Sequence, residues 1–172
     1  MTNDQAIALV RKLNIRCVVF DIDGVMTDGN IIVDLNGNEL FKTFNVKDGL
    51  GVQMLAKAGF ELGIITSRCS KSVESRAQLL NISHVYQGQA EKIVAFEDLL
   101  AKLSITDKQV AYIGDDLPDV PLLRRAGFSA CPADAHKSAA SVALWQSAFN
   151  GGRGAVREFA DLLLTAKEKI NA

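Results

Sequence analysis

Short apolar runs of strand length alternate with helix-length patterns through most of this chain. The first run, Cys17–Phe20, is apolar at every position and stops abruptly at Asp21. Such a run is typical of a central parallel strand, because that kind of strand is covered on both faces. The alternation predicts an α/β fold, a Rossmann-like three-layer α/β/α arrangement around a mostly parallel sheet. The predicted strands are Cys17–Phe20, Glu61–Ile65, 85–86, 109–113 and, as the last, Phe128–Cys131.

Helical patterns fill the segments between these strands. Asn3 and Ser70 are suited to capping the starts of two helices, and Gly59 and Gly127 to capping the ends of two others. The predicted helices span 3–13, 50–58, 70–80, 91–103, 119–126 and 155 to about 169, and 45–49 is predicted to be a loop.

One segment after the first strand departs from the alternation. Two extended stretches, 31–33 and 40–44, flank Asn36-Gly37, and Asn-Gly is the strongest short signal for a β-hairpin. We therefore predict a hairpin insertion at about 30–45, which is too small to be a cap domain. The 172 residues fit one domain, 1–172, that ends in a flexible glycine-rich tail and helix at about 150–172.

Composition and charge exclude several classes of partner. The chain carries 19 Lys and Arg against 20 Asp and Glu, so no global positive field attracts nucleic acid or an anionic membrane. No apolar run approaches the ~20 residues that cross a bilayer. The three cysteines are far apart and show no metal-binding spacing, which indicates free thiols in a reducing compartment. We therefore expect a cytoplasmic protein.

Polar side chains follow the ends of several predicted strands. In open parallel sheets, ligands bind beyond the carboxyl ends of the strands, so these side chains are expected to surround one crevice. They are Asp21 and Asp23 after the first strand, Thr66, Ser67 and Arg68 after the second, Asp115, Asp116 and Asp119 after residues 109–113, and Lys92 near the helix that follows Tyr86.

This set of side chains suits one kind of chemistry. Clustered carboxylates repel one another unless a cation lies between them, and oxygen ligands without His or Cys favour Mg²⁺ over zinc. Protein-bound Mg²⁺ commonly joins one or two carboxylates to a substrate phosphate. One carboxylate can attack phosphorus, and a second, two residues away, can act as general acid and base.

Four short motifs carry a family resemblance. Residues 21–27, Asp-Ile-Asp-Gly-Val-Met-Thr, resemble the nucleophile motif of the haloacid dehalogenase superfamily of phosphohydrolases. Thr66 after Ile64-Ile65, Lys92 and the run 114–119 match its other three motifs in order. Segments 28–29, 44–49, 86–89 and 151–158 resemble, more narrowly, the capless 3-deoxy-D-manno-octulosonate 8-phosphate phosphatases. The similarity runs from about 13 to 169, and departs from the family at Ser67, where Gly is usual, and at Gln53, where relatives tend to carry a cation.

The resemblance implies a mechanism and a set of site residues. Asp21 would be the nucleophile and Asp23 the acid and base, while Thr66 and Lys92 would bind the phosphate oxygens. Mg²⁺ would be held by the carboxylates of Asp21 and Asp115 and by the backbone carbonyl of Asp23. Residues implied in binding the sugar are Asp23, Lys92, Asn45, Val46, Lys47, Asp48, Gly49, Arg68 and Arg76, and those in supporting positions are Asp116, Asp119 and Arg153.

The resemblance also implies a substrate and an assembly. The substrate would be a phosphorylated eight-carbon keto-acid sugar used in lipopolysaccharide biosynthesis. Hairpins of four subunits would form a central barrel in a homotetramer, and a neighbouring subunit would complete each site. Three alternatives stay open: a phosphatase for a nine-carbon nonulosonic acid 9-phosphate, a catalytically idle oligomerising module, and a phosphorylated receiver-type switch.

Overall fold

A computed structural model of the protein describes residues 1–168. Within them, β1, β4, β5, β6, β7 and β8 form one sheet in the order β5-β4-β1-β6-β7-β8, and every neighbouring pair is parallel. The remaining two strands, β2 and β3, form a separate antiparallel hairpin. The strands are β1 (Cys17–Phe20), β2 (Ile32–Val33), β3 (Glu39–Phe41), β4 (Glu61–Ile65), β5 (His84–Tyr86), β6 (Val110–Ile113), β7 (Phe128–Cys131) and β8 (Trp145–Gln146).

Helices cover both faces of the sheet, which confirms the predicted three-layer α/β/α fold. Buried side chains of α1, α2, α3 and α7 form the core on one face, and those of α4, α5 and α6 form the core on the other. The helices are α1 (Asn3–Leu13), α2 (Val46–Lys57), α3 (Lys71–Leu79), α4 (Lys92–Leu103), α5 (Val120–Arg125), α6 (Lys137–Ala140) and α7 (Ala155–Glu168), with short 3-10 turns at Asp107–Gln109 and Leu117–Asp119.

The central position of β1 explains why its sequence is apolar at every residue. Val18 and Phe20 point into one core, and Cys17 and Val19 into the other. All four side chains are fully buried, and burial of each large apolar side chain contributes about 1.5–3 kcal/mol. Because β1 lies between β4 and β6, its carboxyl end, at Asp21, lies in the middle of the sheet edge.

The predicted loop at 45–49 is wrong, because α2 begins at Val46. The side chain of Asn45 accepts a hydrogen bond from the N–H of Lys47 at 2.8 Å, and so caps the helix. Gly49 lies in the first turns of α2, where a glycine is unusual. A Cβ atom at that position would come 2.2 Å from Nη2 of Arg76, so the guanidinium fills the space that a larger side chain would take.

Two elements near the C-terminal part of the sheet escaped the sequence pattern. Phe128–Cys131 is not the last strand, since α6 and the two-residue strand β8 follow it. Neither element is long enough to show a periodicity. Trp145 of β8 stacks on Phe159 and donates its indole N–H to the side chain of Asn3 at 2.8 Å.

The prediction that Asn3 caps α1 is wrong, because Thr2, with Gln5, caps that helix instead.

The predicted hairpin is confirmed, although its strands are shorter than expected and their register is irregular. Its side chains form an exposed apolar surface: Ile31, Val33, Leu40 and Phe41 are about half exposed, and Leu35 at the tip is fully exposed.

The last helix is described as far as Glu168. The predicted end of that helix at about 169, and the rest of the tail to 172, lie outside the described residues. None of the helices within residues 1–168 is both long enough and apolar enough to cross a membrane.

Candidate active site

A cleft of about 170 Å³ lies beyond the carboxyl ends of β1, β4 and β6. It brings together the five residues to which the resemblance assigned the chemistry, namely Asp21, Asp23, Thr66, Lys92 and Asp115. The residues that line it are Asp21, Asp23, Thr66, Ser67, Arg68, Lys92, Asp115, Asp116, Pro118 and Asp119.

A tight turn carries the two aspartates that follow β1. The carbonyl of Ile22 accepts hydrogen bonds from the backbone N–H groups of Val25, Met26 and Thr27 at 3.0–3.2 Å. Gly24, within this turn, has φ = +91°, and a Cβ there would come 2.1 Å from Oδ2 of Asp115. A glycine at this position therefore lets the turn approach the carboxylate that follows β6.

Lys92 lies between two buried carboxylates. Its Nζ atom donates to Oδ1 of Asp21 at 2.7 Å and to Oδ1 of Asp119 at 2.6 Å. Each of the three side chains is no more than 6% exposed. Burial alone would lower the pKa of Lys92, but the charges of the two aspartates outweigh burial and raise it. The lysine is therefore a fixed cation at the first residue of α4.

Asp119 is held by donors on every side. Its Oδ1 atom also accepts from the hydroxyl of Tyr112 at 2.5 Å, and its Oδ2 atom accepts from the N–H groups of Asp115 and Asp116 at 2.9 and 3.2 Å. These bonds leave it suited to holding Lys92 and the loop after β6. The resemblance places both Asp116 and Asp119 in supporting positions, and of the two it is the carboxylate of Asp119 that contacts Lys92.

Asp116 itself is more exposed. Its side chain accepts from the N–H of Leu117 at 2.7 Å, and it lies 3.4 Å from His136.

The cluster fits a divalent cation. One oxygen from each of Asp21, Asp115 and Asp119 lies within 4.8 Å of the others, with no His or Cys in the group. Burial, and then the charge of Asp119, raises the pKa of Asp21 to about 7, against the lowering effect of Lys92. Burial, and then the charges of Asp21 and Asp119, raises the pKa of Asp115 to about 8. Carboxylates held this close together are stabilised in their charged form by a cation, and an all-oxygen set suits Mg²⁺.

Asp23 points to a second set of charges, which the hairpin supplies. Its Oδ1 atom lies 2.5 Å from Nζ of Lys42, and its Oδ2 atom lies 4.0 Å from Nε of Arg68. Glu39 pairs with both cations, at 3.2 Å from Lys42 and 3.0 Å from Arg68. The hairpin is therefore joined by ion pairs to the turn that carries Asp21 and Asp23.

Thr66 follows β4, lines the cleft and is buried. Its N–H donates to the carbonyl of Tyr86 at 2.9 Å, and its carbonyl accepts from Gln89 at 3.0 Å. These bonds fix the backbone, so the hydroxyl is offered from a rigid position.

The residues predicted to bind the sugar are more scattered. In the described part of the chain, positions 45–49 do not line the cleft that contains Asp21. Asn45 lines a second cleft of about 350 Å³ together with Arg153, which pairs with Asp28 at 3.0 Å. Val46 and Lys47 are exposed in the first turn of α2. Arg76 donates to the carbonyl of Asn45 at 3.3 Å and lies over the ring of Phe44.

Asp48 has a structural task that the sequence did not indicate. It is buried, and its carboxylate accepts from the N–H groups of Gly154 and Arg157 at 3.2 and 2.8 Å. Asp48 thus caps α7 from α2, and each of its carboxylate oxygens accepts one of these bonds. Of the residues that the resemblance implied for sugar binding, Asp48 therefore has its carboxylate directed to α7.

The sequence pattern does not single out Lys42, Glu39 or Tyr112 as site residues. Lys42 and Glu39 lie in a hairpin that read as an apolar edge, and Tyr112 reads as part of a buried strand. One signal for Lys42 was available in the sequence. It lies among the apolar residues Leu40, Phe41 and Phe44, and such surroundings are unusual for an exposed lysine.

Comparisons with known proteins identify the family of the chain. The haloacid dehalogenase-like hydrolase family matches residues 62–159. A 3-deoxy-D-manno-octulosonate 8-phosphate phosphatase from Escherichia coli strain K12 is 47% identical over 163 residues, which cover 95% of this chain and 86% of that protein.

Solved structures are similar over nearly the whole chain. A phosphatase of that name from Moraxella catarrhalis, in complex with magnesium ion, phosphate ion and KDO, is 39% identical with a TM-score of 0.91. The match covers 98% of this chain and 95% of that one. A cobalt-bound form from Haemophilus influenzae is 38% identical with a TM-score of 0.87, and the match covers 92% of each chain.

Proposed function

Because this chain belongs to the haloacid dehalogenase-like hydrolases, and among them to the 3-deoxy-D-manno-octulosonate 8-phosphate phosphatases, we propose that it hydrolyses that sugar phosphate in a Mg²⁺-dependent reaction. The products are the free keto-acid sugar and inorganic phosphate. The observation that carries the proposal is the buried pair of Asp21 and Lys92 at 2.7 Å, beside Asp115, in a cleft open to a phosphate.

The first step forms an aspartyl-phosphate. A carboxylate oxygen of Asp21 attacks phosphorus, and the bond from phosphorus to the sugar oxygen breaks. Lys92 and the hydroxyl of Thr66 bind non-bridging phosphate oxygens, and the ammonium group offsets charge that builds up in the transition state. The proton that the leaving sugar oxygen requires comes from the carboxyl group of Asp23.

The second step returns the enzyme to its starting state. Asp23, now a carboxylate, takes a proton from a water molecule, which attacks the phosphorus of the aspartyl-phosphate. The bond between phosphorus and Asp21 breaks, and phosphate leaves. Asp21 and Asp23 lie two residues apart on one turn. Asp21 can therefore act as the nucleophile while Asp23 gives a proton in the first step and takes one in the second.

Mg²⁺ would be held by the carboxylates of Asp21 and Asp115 and the backbone carbonyl of Asp23. When bound, it neutralises the charge of the carboxylates and of the phosphate oxygens. Asp119 supports this group indirectly, because it positions Lys92 and the backbone N–H of Asp115.

The sugar and the assembly are part of the same proposal. Arg68 is half exposed at the cleft and pairs with Glu39 through Nη2, and its remaining N–H groups would bind a carboxylate or hydroxyl of the sugar. The whole chain acts as one capless domain in a homotetramer, in which a neighbouring subunit covers the open cleft with residues such as Asn45, Arg76 or Arg153. The exposed apolar hairpin supports this assembly.

The three cysteines are free thiols, which supports a location in the cytoplasm, where the sugar would be supplied for lipopolysaccharide synthesis.

The test is phosphate release from 3-deoxy-D-manno-octulosonate 8-phosphate and from a nonulosonate 9-phosphate, each with Mg²⁺ and with EDTA. We expect release from the eight-carbon sugar that requires Mg²⁺ and is lost in Asp21→Asn. The variant Asp4→Asn, an exposed aspartate in α1, is the matched control and should behave as the wild type. Preference for the nine-carbon sugar would overturn the substrate but keep the mechanism, and no release from either sugar by folded protein would favour an idle module.

A further inference from the structure

The ammonium group of Lys42 is buried at the point where the hairpin meets the catalytic turn. Its side chain is only 3% exposed, although lysine is among the residues least often buried. Nζ donates a hydrogen bond to Oδ1 of Asp23 at 2.5 Å. The other acid near it, Glu39, lies at 3.2 Å as an ion pair, and its Oε1 atom makes no hydrogen bond. The directed contact of this lysine is therefore the one to Asp23.

Arg68 completes a ring of alternating charges with these residues. It lies 3.0 Å from Glu39, but its distance to Oδ2 of Asp23 is 4.0 Å, and its side chain is 46% exposed. The two oxygens of Asp23 thus have unequal surroundings. Oδ1 accepts a hydrogen bond from a buried ammonium, while Oδ2 has only the half-exposed guanidinium of Arg68 near it, beyond hydrogen-bond distance.

We propose that Lys42 is a positioning residue for Asp23: by holding Oδ1, it leaves Oδ2 as the oxygen that exchanges protons with the substrate. In the first step, the bond between Asp21 and phosphorus forms, the bond from phosphorus to the sugar oxygen breaks, and the proton moves from Oδ2 to that oxygen. The carboxyl group of Asp23 is short and can rotate about its own axis, so a fixed partner on Oδ1 removes that freedom. This inference rests on the proposed function, because it assigns Asp23 the role of acid.

The leaving group provides a readout that a general structural role would not move. A sugar alkoxide requires a proton as it leaves, whereas p-nitrophenolate leaves without one. The ratio kcat/KM reports the reaction up to departure of the leaving group. We therefore compare kcat/KM for the sugar phosphate and for p-nitrophenyl phosphate in Lys42→Met.

We expect kcat/KM of Lys42→Met for the sugar phosphate to fall ~10- to 100-fold, which is part of the ~10²- to 10⁴-fold that general acid catalysis supplies. The fall should lie in kcat, with KM little changed, and the value for p-nitrophenyl phosphate should stay close to that of the wild type. Lys42→Arg keeps a cation and should restore part of kcat. An equal fall for both substrates, a change confined to KM, or no rescue by Lys42→Arg would overturn the proposal.

Two further variants keep the test decisive. Lys57→Met removes an exposed lysine at the end of α2 and is the matched control. If Lys42→Met does not fold, as judged by thermal unfolding, Glu39→Gln and Lys42→Arg take its place. Glu39→Gln should lower kcat for the sugar phosphate less than the loss of Lys42 itself, and a change in KM alone would count against the inference.

The result is separable from the fate of the proposed function. If the wild type releases phosphate from neither sugar, the proposed function fails before any variant is compared. If the wild type is active and Lys42→Met matches it on the sugar phosphate, the inference about Lys42 alone fails.

Discussion

The Nζ atom of Lys92 lies 2.7 Å from Oδ1 of Asp21, and both side chains are almost completely buried. The contact joins the first residue of α4 to the residue after β1. A buried charge is tolerated only when it is paired and hydrogen-bonded, and Lys92 meets this condition twice, through Asp21 and Asp119. The same pair therefore serves both the stability of the sheet edge and the chemistry of the cleft.

Lys92→Met should destabilise the fold and abolish most activity. Removing one partner of a buried ion pair costs about 3–5 kcal/mol, because the remaining charge is left without compensation. We expect a clear drop in the free energy of unfolding, measured by chemical denaturation, together with the loss of phosphate release. Lys102→Met is the control, since that lysine lies on the same helix but is exposed in a surface pair with Asp98. Equal stability of the two variants would contradict the role of the buried pair.

Stability without metal should fall as the pH rises from about 4 to about 8. Asp21 and Asp115 have pKa values raised to about 7 and about 8 by burial and by neighbouring charges. In this window the folded protein holds protons that the unfolded chain has already released, so unfolding becomes easier as these groups ionise.

Mg²⁺ should reverse this loss because it binds the charged carboxylates. We expect the rise in Tm on replacing EDTA by Mg²⁺ to be larger near pH 8 than near pH 5. Asp115→Asn should lose most of that rise. A shift in Tm of the same size at both pH values, or one that survives in Asp115→Asn, would show that the ion binds elsewhere.

Much of the fold follows from local pattern. The alternation of apolar strands and helices predicted the sheet, and the run from Cys17 to Phe20 was recognisable as central because every position is apolar. The positions of Asp21, Thr66 and Asp115 directly after strands identified them as candidate site residues, because ligands bind at the carboxyl edge of a parallel sheet. The Asn36-Gly37 turn predicted the hairpin for the same kind of local reason.

Contacts between distant segments account for what was missed. The carboxylate of Asp48 caps α7, more than a hundred residues further along the chain. The start of α2 at Val46 is the exception, because its cap, Asn45, is a local feature. The strand at Trp145 is two residues long and exists only through its pairing with β7. Lys42 reaches Asp23 only when the hairpin folds back onto the turn, which no periodicity encodes.

Gly24→Ala should cost activity beyond its effect on the backbone. The residue has φ = +91°, and the added Cβ would meet Oδ2 of Asp115 at 2.1 Å. Gly37 is a matched control, because it has φ = +82° with no atom within 4 Å of its Cβ position. Both substitutions carry the strain of a left-handed residue, about 1–2 kcal/mol.

The difference between the two variants isolates the contact with Asp115. We expect Gly37→Ala to lose stability but to keep the wild-type dependence of phosphate release on Mg²⁺ concentration. Gly24→Ala should need much more Mg²⁺ or release no phosphate. A Gly24→Ala enzyme with the Mg²⁺ dependence of Gly37→Ala would show that Asp115 can move without loss.

The exposed apolar hairpin should be the surface through which copies of this chain associate. A two-stranded hairpin is marginal in water by itself, and its unpaired edges and apolar side chains invite a partner. Leu35 is fully exposed and Leu40 is 54% exposed, so a charge at each position should prevent association with little effect on the fold of the subunit. We expect the wild type to sediment as a tetramer and the double variant Leu35→Glu/Leu40→Glu to sediment as a monomer. Val94→Glu is the control, because its position on α4 is 60% exposed, and it should sediment as the wild type does.

Because a neighbouring subunit is proposed to cover the cleft, the monomeric variant should also show a raised KM for the sugar phosphate. A wild-type chain that sediments as a monomer while retaining full activity would contradict both the assembly and the shared site.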